Sequence, residues 1–337
     1  DGSMDFVVGG GEIATGIFAP TSVYFGTPFG AFHLGRDLSS ALPSSSSIAC
    51  GDVDGDGDSD IVFSDGDAHS QVFGGQTVAL FLNQGGGGFV ESSGFKDAIW
   101  QNDDDTSAAV DLADIDRDGD LDLFVCRTGS PGGKNWMLVN DGAGNFSNES
   151  AGRLPNIGWG LGDKSAGAEF CDANGDGYLD LFVANSHLSV LPADSGDYLI
   201  NLGAINPGVF VDGAASFPDY FDERLSIRLN IETGDVDSDG DVDVIVLPHE
   251  FFGSTLPFVG NPVLYLNQGG AQAGTEGIFL EDPSFWIPGP MSTGIFYGGE
   301  LFDMDSDGDL DFYAGVYAGI VDPSKVQDIF LENSLNN

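Results

Sequence analysis

The sequence predicts an all-β protein, and three observations support this prediction. Glycine is abundant, with 51 residues among 337, and most of it lies in short clusters between apolar runs, as many tight turns require. The apolar runs are short and rich in Val, Ile and Phe, which is the pattern of β-strands. A long helical periodicity is not visible anywhere in the chain.

A nine-residue acidic block recurs five times and defines an internal repeat of about 60 residues. Asp1 through Asp5 match the tail of the same block, so the chain contains six repeats, of which the first is incomplete. The five full blocks are Asp52–Asp60, Asp114–Asp122, Asp172–Asp180, Asp235–Asp243 and Asp303–Asp311.

Each repeat contains four short strand patterns, and this predicts a β-propeller built from four-stranded antiparallel blades. A β-solenoid is the main alternative, but its repeats are much shorter. The predicted ring has six blades, or is part of a seven-bladed ring. We predict one propeller domain over residues 1–337, with repeats at about 1–47, 48–107, 108–166, 167–229, 230–297 and 298–337, the first and last being incomplete.

The composition limits the partners of the chain. Ten Lys and Arg residues stand against 54 Asp and Glu residues, for a formal net charge of -44. This charge argues against binding to nucleic acid or to an anionic membrane surface, and it makes cations the natural partners. The sequence has no apolar run of about 18 residues, so we expect no membrane insertion.

The acidic block has the spacing of an oxygen cage for a hard cation. Carboxylates stand at positions 1, 3, 5 and 9, glycine at position 6 permits a sharp turn, and the residue at position 7 can offer its backbone carbonyl. Calcium fits this pattern better than magnesium because calcium accepts more oxygens in a more flexible geometry. A single acidic block would be read equally well as a solvated turn, but five copies at a regular period favour metal loops.

An EF-hand is excluded because position 12 of the pattern is never Glu and strands, not helices, flank the block. The residues found there are Phe63, Val125, Val183, Val246 and Ala314.

These blocks resemble the FG-GAP and VCBS repeats, the blade unit of the integrin α-subunit propeller and of many secreted bacterial proteins. The resemblance covers nearly the whole chain, from Asp1 to about Leu331, and the DxDxDGxxD core is specific. It implies that each loop joins the first and second strands of a blade and holds calcium structurally. Because the first repeat retains only Asp1 and Asp5, a sixth site is not implied.

About five calcium ions are therefore expected. The predicted ligands, including position 7 through its carbonyl, are Asp52, Asp54, Asp56, Asp58 and Asp60; Asp114, Asp116, Asp118, Asp120 and Asp122; Asp172, Asn174, Asp176, Tyr178 and Asp180; Asp235, Asp237, Asp239, Asp241 and Asp243; and Asp303, Asp305, Asp307, Asp309 and Asp311.

The resemblance also implies a secreted or cell-surface protein that acts as a recognition or adhesion module. Its protein or glycan ligand would bind on the face opposite the calcium loops, where long dissimilar loops are expected. A part in a larger extracellular assembly, or a purely structural role there, is an alternative.

An aromatic residue precedes most of the acidic blocks at a similar distance, and these residues are the candidate ligand-binding set. They could stack on a sugar ring, but the interpretation we favour is that each ring wedges neighbouring blades together. The residues are Trp100, Trp159, Phe221 and Trp286.

Catalytic residues are not recognisable in the sequence. The four histidines, His33, His69, His187 and His249, are scattered over different repeats, and no nucleophile motif accompanies them. We therefore expect that the chain is not an enzyme. The alternative is a polysaccharide lyase or another carbohydrate-active enzyme on the same scaffold.

Overall fold

The computed structural model describes residues 3–14, 17–38, 45–64, 78–95, 107–127, 134–156, 165–185, 196–217, 228–248, 262–282, 295–317, 329–331 and 333. The chain divides into two compact units. The first unit consists of Asp1–Leu154 and Trp159–Gly162, and the second consists of Pro155–Gly158 and Asp163–Asn337. None of the helices among the described residues is long and apolar enough to span a membrane.

The first unit contains three blades. Blade 1 pairs β1 (Phe6–Val8), β4 (Thr21–Gly26) and β5 (Phe32–Leu38), and β2 (Gly11–Ala14) and β3 (Ile17–Ala19) form a separate hairpin. Blade 2 consists of β6 (Ser47–Gly51), β7 (Asp60–Ser64), β8 (Val78–Asn83) and β9 (Phe89–Glu91). Blade 3 consists of β10 (Ser107–Ala113), β11 (Asp122–Arg127), β12 (Trp136–Asn140) and β13 (Phe146–Asn148), and the short helix α1 (Ser150–Arg153) follows it.

The second unit contains the other three blades. Blade 4 consists of β14 (Ser165–Cys171), β15 (Asp180–Asn185), β16 (Gly196–Asn201) and β17 (Phe210–Asp212). Blade 5 consists of β18 (Arg228–Gly234), β19 (Asp243–Pro248), β20 (Val263–Asn267) and β21 (Phe279–Glu281). Blade 6 consists of β22 (Ile295–Phe302), β23 (Asp311–Tyr317) and β24 (Ile329–Leu331). Short 3-10 turns lie at Gly203–Ile205, Ala214–Ser216 and Gly270–Gln272.

The prediction of an all-β propeller with antiparallel blades is confirmed. In each blade consecutive strands pair in order, and four of the six blades have four described strands. The strand that leads into each acidic block is the first strand of the next blade. Within the units, first strands of neighbouring blades lie against one another, namely β6 against β10, β14 against β18, and β18 against β22. Each acidic block therefore connects the first and second strands of its own blade, as the resemblance implied.

The hydrophobic core of each unit lies between successive blades. Along β19, Val244 and Val246 pack towards blade 4, whereas Ile245 and Leu247 pack towards blade 6. All four side chains are fully buried. Because successive side chains of a strand point to opposite faces, and both faces are covered here, the strand reads as an unbroken apolar run. Burial on both faces thus explains the short continuous runs of Val, Ile and Phe in the sequence.

Candidate metal centre

The backbone of each acidic block is wound around the carboxylate at position 1. In the blade 5 loop, the amide of Asp239 donates to Asp235 Oδ1 at 2.9 Å and the amide of Gly240 donates to Asp235 Oδ2 at 3.0 Å. The blade 3, 4 and 6 loops repeat this pattern, and in the blade 2 loop Gly55 replaces the position-5 amide as the first donor. A short polar side chain that bonds to nearby amides favours a turn over a strand, so the loop is encoded locally.

Two positions of each loop lie in the left-handed region of backbone conformation. Position 6 is always glycine, with φ between 87° at Gly177 and 100° at Gly240. Position 4 is also left-handed, and there the chain tolerates Arg117, Ser238 and Ser306, with φ of 60° to 65°. A Cβ costs roughly 1–2 kcal/mol in this region, so glycine at position 6 relieves strain.

Substitution of Gly119, at position 6 of the blade 3 loop, should isolate this strain. Its φ is 98° and a Cβ would meet nothing within 4 Å, so Gly119→Ala should lower the free energy of unfolding by about 1–2 kcal/mol through backbone strain alone. Gly152→Ala in helix α1 is the matched control, because its Cβ also enters open space but no positive φ is required. Chemical denaturation measures both variants, and equal stabilities for the two would contradict the prediction.

The aspartate at position 9 is buried in all five loops and ties the loop to the third strand of its blade. In blade 5, Asp243 is 0% exposed; its Oδ1 accepts the amide of Asn267 at 2.9 Å and its Oδ2 accepts the amide of Val236 at 3.0 Å. Burial raises the pKa of Asp122, Asp180 and Asp243 to about 7. Burial therefore makes the free carboxylate less stable at this position than in water, and a bound cation would offset that cost.

Carboxylate oxygens converge in four of the five loops. In each, three carboxylates offer one oxygen apiece within 4.8 Å of one another. The groups are Asp52, Asp54 and Asp60; Asp114, Asp116 and Asp118; Asp235, Asp237 and Asp239; and Asp303, Asp305 and Asp311. In the blade 4 loop, Asn174 replaces the carboxylate at position 3 with an amide oxygen.

The oxygens of these loops fit a hard cation. Asp116 Oδ1 and Asp237 Oδ1 are buried, and neither has a hydrogen-bond partner among the described residues. Buried oxygens without donors are costly, and several carboxylates within 4.8 Å repel one another unless a cation lies between them. An all-oxygen set of this kind suits Ca²⁺, which when bound would neutralise the loop. The other predicted ligand positions, including the carbonyls at position 7, stay predictions.

Two loops also receive a side chain from elsewhere in the same blade. Arg153, on α1, donates to Asp116 Oδ2 at 3.1 Å and to Glu149 Oε2 at 3.0 Å. Gln272 donates its amide to Asp237 Oδ2 in the blade 5 loop. In both cases one oxygen of the position-3 carboxylate is engaged while its Oδ1 has no partner in the described part of the chain.

An asparagine at the end of the third strand connects neighbouring loops, and the sequence analysis did not assign it a role. Its Nδ2 donates to the carbonyl at position 2 of the preceding blade's loop: Asn140 to Val53 at 2.7 Å, Asn267 to Ala173 at 2.9 Å, and Asn333 to Val236 at 2.8 Å. The sequence does contain a signal for this role, because Asn recurs at the end of the third strand in five repeats. These residues are Asn83, Asn140, Asn201, Asn267 and Asn333.

The candidate aromatic ligand-binding residues, Trp100, Trp159, Phe221 and Trp286, lie outside the described residues, as do His69, His187 and His249. Phe217 wedges blades 4 and 5 within the described part. It is 0% exposed and packs against Phe182 and Tyr198 of blade 4 and against Tyr265 and Phe279 of blade 5. An aromatic ring does fill the space between blades 4 and 5, but it belongs to Phe217, which is not one of the four predicted aromatic residues.

Residues 125–183 match the family model described as an FG-GAP-like repeat. This stretch runs from the second strand of blade 3 to the second strand of blade 4 and includes the complete Asp172–Asp180 loop. Residues 125–183 therefore carry an FG-GAP-like repeat. The resemblance inferred from the acidic blocks is therefore confirmed. No curated protein sequence matches the chain.

Solved structures similar to this FG-GAP-like repeat chain include the periplasmic gluconolactonase PpgL of Pseudomonas aeruginosa, at 14% identity and a TM-score of 0.49, over 93% of this chain and 78% of that one. The biofilm matrix protein Bap1 of V. cholerae matches at 17% identity and a TM-score of 0.43, over 90% of this chain and 42% of that one. An exo-β-1,3-galactanase of Phanerochaete chrysosporium matches at 11% identity and a TM-score of 0.38, over 69% of this chain and 50% of that one.

The prediction that the chain is not an enzyme is contradicted by these comparisons, because the similar structures include a gluconolactonase and a galactanase. The scattered histidines were a poor basis for that prediction, since a propeller can gather residues from different repeats. At these identities the likeness shows the fold alone and assigns no reaction to this chain. The chain spans half the length of the galactanase.

Proposed function

We propose that this chain is an extracellular β-propeller whose acidic loops bind about five Ca²⁺ ions and whose calcium-loaded scaffold recognises a protein or carbohydrate ligand. The ligand would bind on the face opposite the calcium loops, and the protein would act in adhesion, alone or within a larger extracellular assembly.

The observation that supports the calcium part best is the convergence of carboxylate oxygens in four loops of the same design. Each of these loops brings three carboxylates within 4.8 Å, and buried oxygens such as Asp237 Oδ1 have no donor among the described residues. Five loops of one sequence pattern recur in a chain with a net charge of -44. Binding of divalent cations removes this repulsion, and a structural role follows because each loop joins two strands of a blade.

The recognition part is supported by the contrast between the repeated elements of each blade and the variable connections between its second and third strands. The acidic loops, the third-strand asparagines and the cores between blades make the scaffold rigid. The connections between second and third strands differ in length and composition, and variable loops on a rigid scaffold are where binding is usually found. A net charge of -44 favours ligands that are neutral, cationic or bridged by a cation.

Calcium-dependent ligand binding tests this function. The full chain is applied to an array of neutral and acidic oligosaccharides, and to immobilised extracellular matrix proteins, in saturating CaCl₂ and again in excess chelator. We expect binding to at least one class of probe in calcium and a loss of more than tenfold in chelator, because the ligand-binding loops depend on the calcium-ordered blades. Binding to the oligosaccharides would indicate a glycan ligand, whereas binding to the matrix proteins would indicate a protein ligand.

A variant in which residues 186–195 are replaced by a Gly-Ser segment of equal length tests whether the ligand-binding site lies at this loop. It should keep the calcium-bound melting temperature, because the segment lies outside the acidic loops, while it weakens binding. Unchanged binding by this variant would argue against a site at this loop, and absence of binding to every probe in calcium would argue against recognition.

A further inference from the structure

The blade 4 loop contains the only asparagine–glycine pair in the sequence, Asn174–Gly175. Asn174 stands at position 3, where the other four complete loops have Asp. An asparagine that precedes glycine is chemically labile, because glycine has no Cβ to keep its backbone nitrogen away from the carbonyl carbon of the asparagine side chain. The pair therefore places a reactive amide where the repeat otherwise has a carboxylate.

The backbone nitrogen of Gly175 is not engaged in the folded loop. Gly175 is exposed, its φ is 69°, and its amide has no hydrogen-bond partner among the described residues. In the blade 2 loop, by contrast, the amide of Gly55 donates to Asp52 Oδ1 at 2.9 Å. In the blade 4 loop the corresponding bond to Asp172 Oδ1 is made by the amide of Asp176, at 3.0 Å. The Gly175 nitrogen can thus react without breaking a hydrogen bond of the loop.

The side chain of Asn174 is held in a way that favours attack on its Cγ atom. Its Oδ1 accepts the amide of Asp176 at 3.0 Å, so a donor is already in place for the negative charge that develops on this oxygen during attack. Its Nδ2 donates to Asp180 Oδ1 at 3.5 Å, a long bond that holds the leaving nitrogen only weakly. Asn174 is half-buried and Gly175 is exposed, so water reaches the pair.

Glycine is favoured at position 4 of this loop by packing as well as by backbone conformation. A Cβ on Gly175 would meet the carboxylate of Glu276, which comes from the blade 5 hairpin, and it would lie in the left-handed region. Three other loops have a side chain at this position, on Arg117, Ser238 and Ser306. The contact with Glu276 thus explains why blade 4 keeps the glycine that makes Asn174 labile.

We propose that Asn174 is a site of spontaneous deamidation, which proceeds while the blade 4 loop is free of metal and which a bound cation suppresses. The Gly175 nitrogen attacks Asn174 Cγ. The N–Cγ bond forms, the Cγ–Nδ2 bond breaks, and Nδ2 leaves as ammonia together with the proton of the Gly175 amide. Water then opens the cyclic imide at one of its two carbonyl carbons. Opening at Cγ gives aspartate, and opening at the backbone carbonyl gives isoaspartate.

The two products change the loop in opposite ways. Aspartate supplies the position-3 carboxylate of the other four complete loops and should strengthen cation binding. Isoaspartate adds a methylene to the backbone, which would displace the amides of Asp176 and Gly177 from the carboxylate of Asp172.

A bound cation suppresses the reaction because it would hold Asn174 Oδ1, so that ring closure requires the loop to release the ion first. This protection rests on the proposed calcium function, whereas the reaction itself does not.

Isotope labelling of the full chain tests the proposal. The chain is incubated in ¹⁸O-labelled water, in excess chelator or in saturating CaCl₂, then digested in ordinary water, and fragment-ion mass spectrometry locates the label. We expect ¹⁸O at residue 174 in chelator, and labelling slower by about tenfold or more in calcium. Asn148 is the internal control: it is exposed but precedes Glu149, so it should stay unlabelled over the same period.

Asn174→Gln is the matched variant, because it keeps the amide but its longer side chain closes a ring far more slowly. Residue 174 should then stay unlabelled. Absence of label at Asn174 in chelator, or equal labelling in calcium and in chelator, would overturn the inference. Calorimetry of the same samples separates this failure from that of the proposed function. A chain that calcium stabilises without protecting Asn174 would overturn only the inference, whereas a chain that calcium neither stabilises nor protects would overturn both.

Discussion

Removal of calcium is expected to lower the melting temperature of this protein by an amount on the order of 20 °C. An ion that binds only the folded state, at a free concentration one hundred times its Kd, adds about 2.7 kcal/mol. Five independent ions would therefore add about 13 kcal/mol, which is comparable to the whole stability of an ordinary domain. The loss of stability should be large because removal of calcium leaves the convergent carboxylates of each loop to repel one another, in a chain of net charge -44.

Differential scanning calorimetry in saturating CaCl₂ and in excess chelator, at equal ionic strength, measures this change. MgCl₂ at the same concentration is the control, because the stricter octahedral geometry of Mg²⁺ should make its stabilisation much smaller. General screening of the negative charge would instead make the two cations equivalent. An unchanged melting temperature in chelator would mean that the acidic blocks are solvated turns.

Asn267→Ala is expected to lower the free energy of unfolding by about 3–5 kcal/mol. The side chain is 0% exposed and makes three hydrogen bonds: Nδ2 to Ala173 O at 2.9 Å, Nδ2 to Val242 O at 3.1 Å, and Oδ1 from the amide of Gly277 at 2.8 Å. Truncation leaves three backbone groups without this partner, and each buried unsatisfied group costs about 1–3 kcal/mol. The variant should also loosen the blade 4 loop, because Ala173 is part of that loop.

Asn83→Ala is the matched control for Asn267. Asn83 ends the third strand of blade 2 at the same place, but it is only half-buried. Its Nδ2 bond to Ser59 O is exposed and its Oδ1 accepts the amide of Gly85 at 3.1 Å, so water can replace most of what the substitution removes. We expect this variant to lose no more than about 1 kcal/mol. Urea unfolding in saturating calcium compares the two, and similar losses would show that burial of the asparagine does not determine its effect.

Local features of the fold and of the candidate metal centre could be predicted from the sequence. The spacing of Asp235, Asp237 and Asp239 and the glycine at Gly240 form a loop through contacts within nine residues, so these residues alone specify its conformation. The apolar runs after each block were recognisable as strands for the same reason. The repetition of one pattern then identified blades, because a single blade cannot bury both of its faces.

Contacts between distant parts of the chain could not be predicted in this way. Asn267 and Ala173 are separated by most of blades 4 and 5, so the register that joins them depends on how the two blades pack. The wedging role of Phe217 likewise depends on packing, since nothing local distinguishes Phe217 from the aromatic residues that the sequence analysis selected.

The sequence by itself determined the all-β class, the repeat and the acidic loops, because strand patterning and turn chemistry act over a few residues. Only the tertiary structure decided that the position-9 carboxylates are buried against the third strands and that the Asp241 side chain has no donor under the turn Gly269–Gln272. Burial and hydrogen-bond satisfaction depend on what packs against a side chain. In blade 5 that covering turn comes from a hairpin more than twenty residues along the chain.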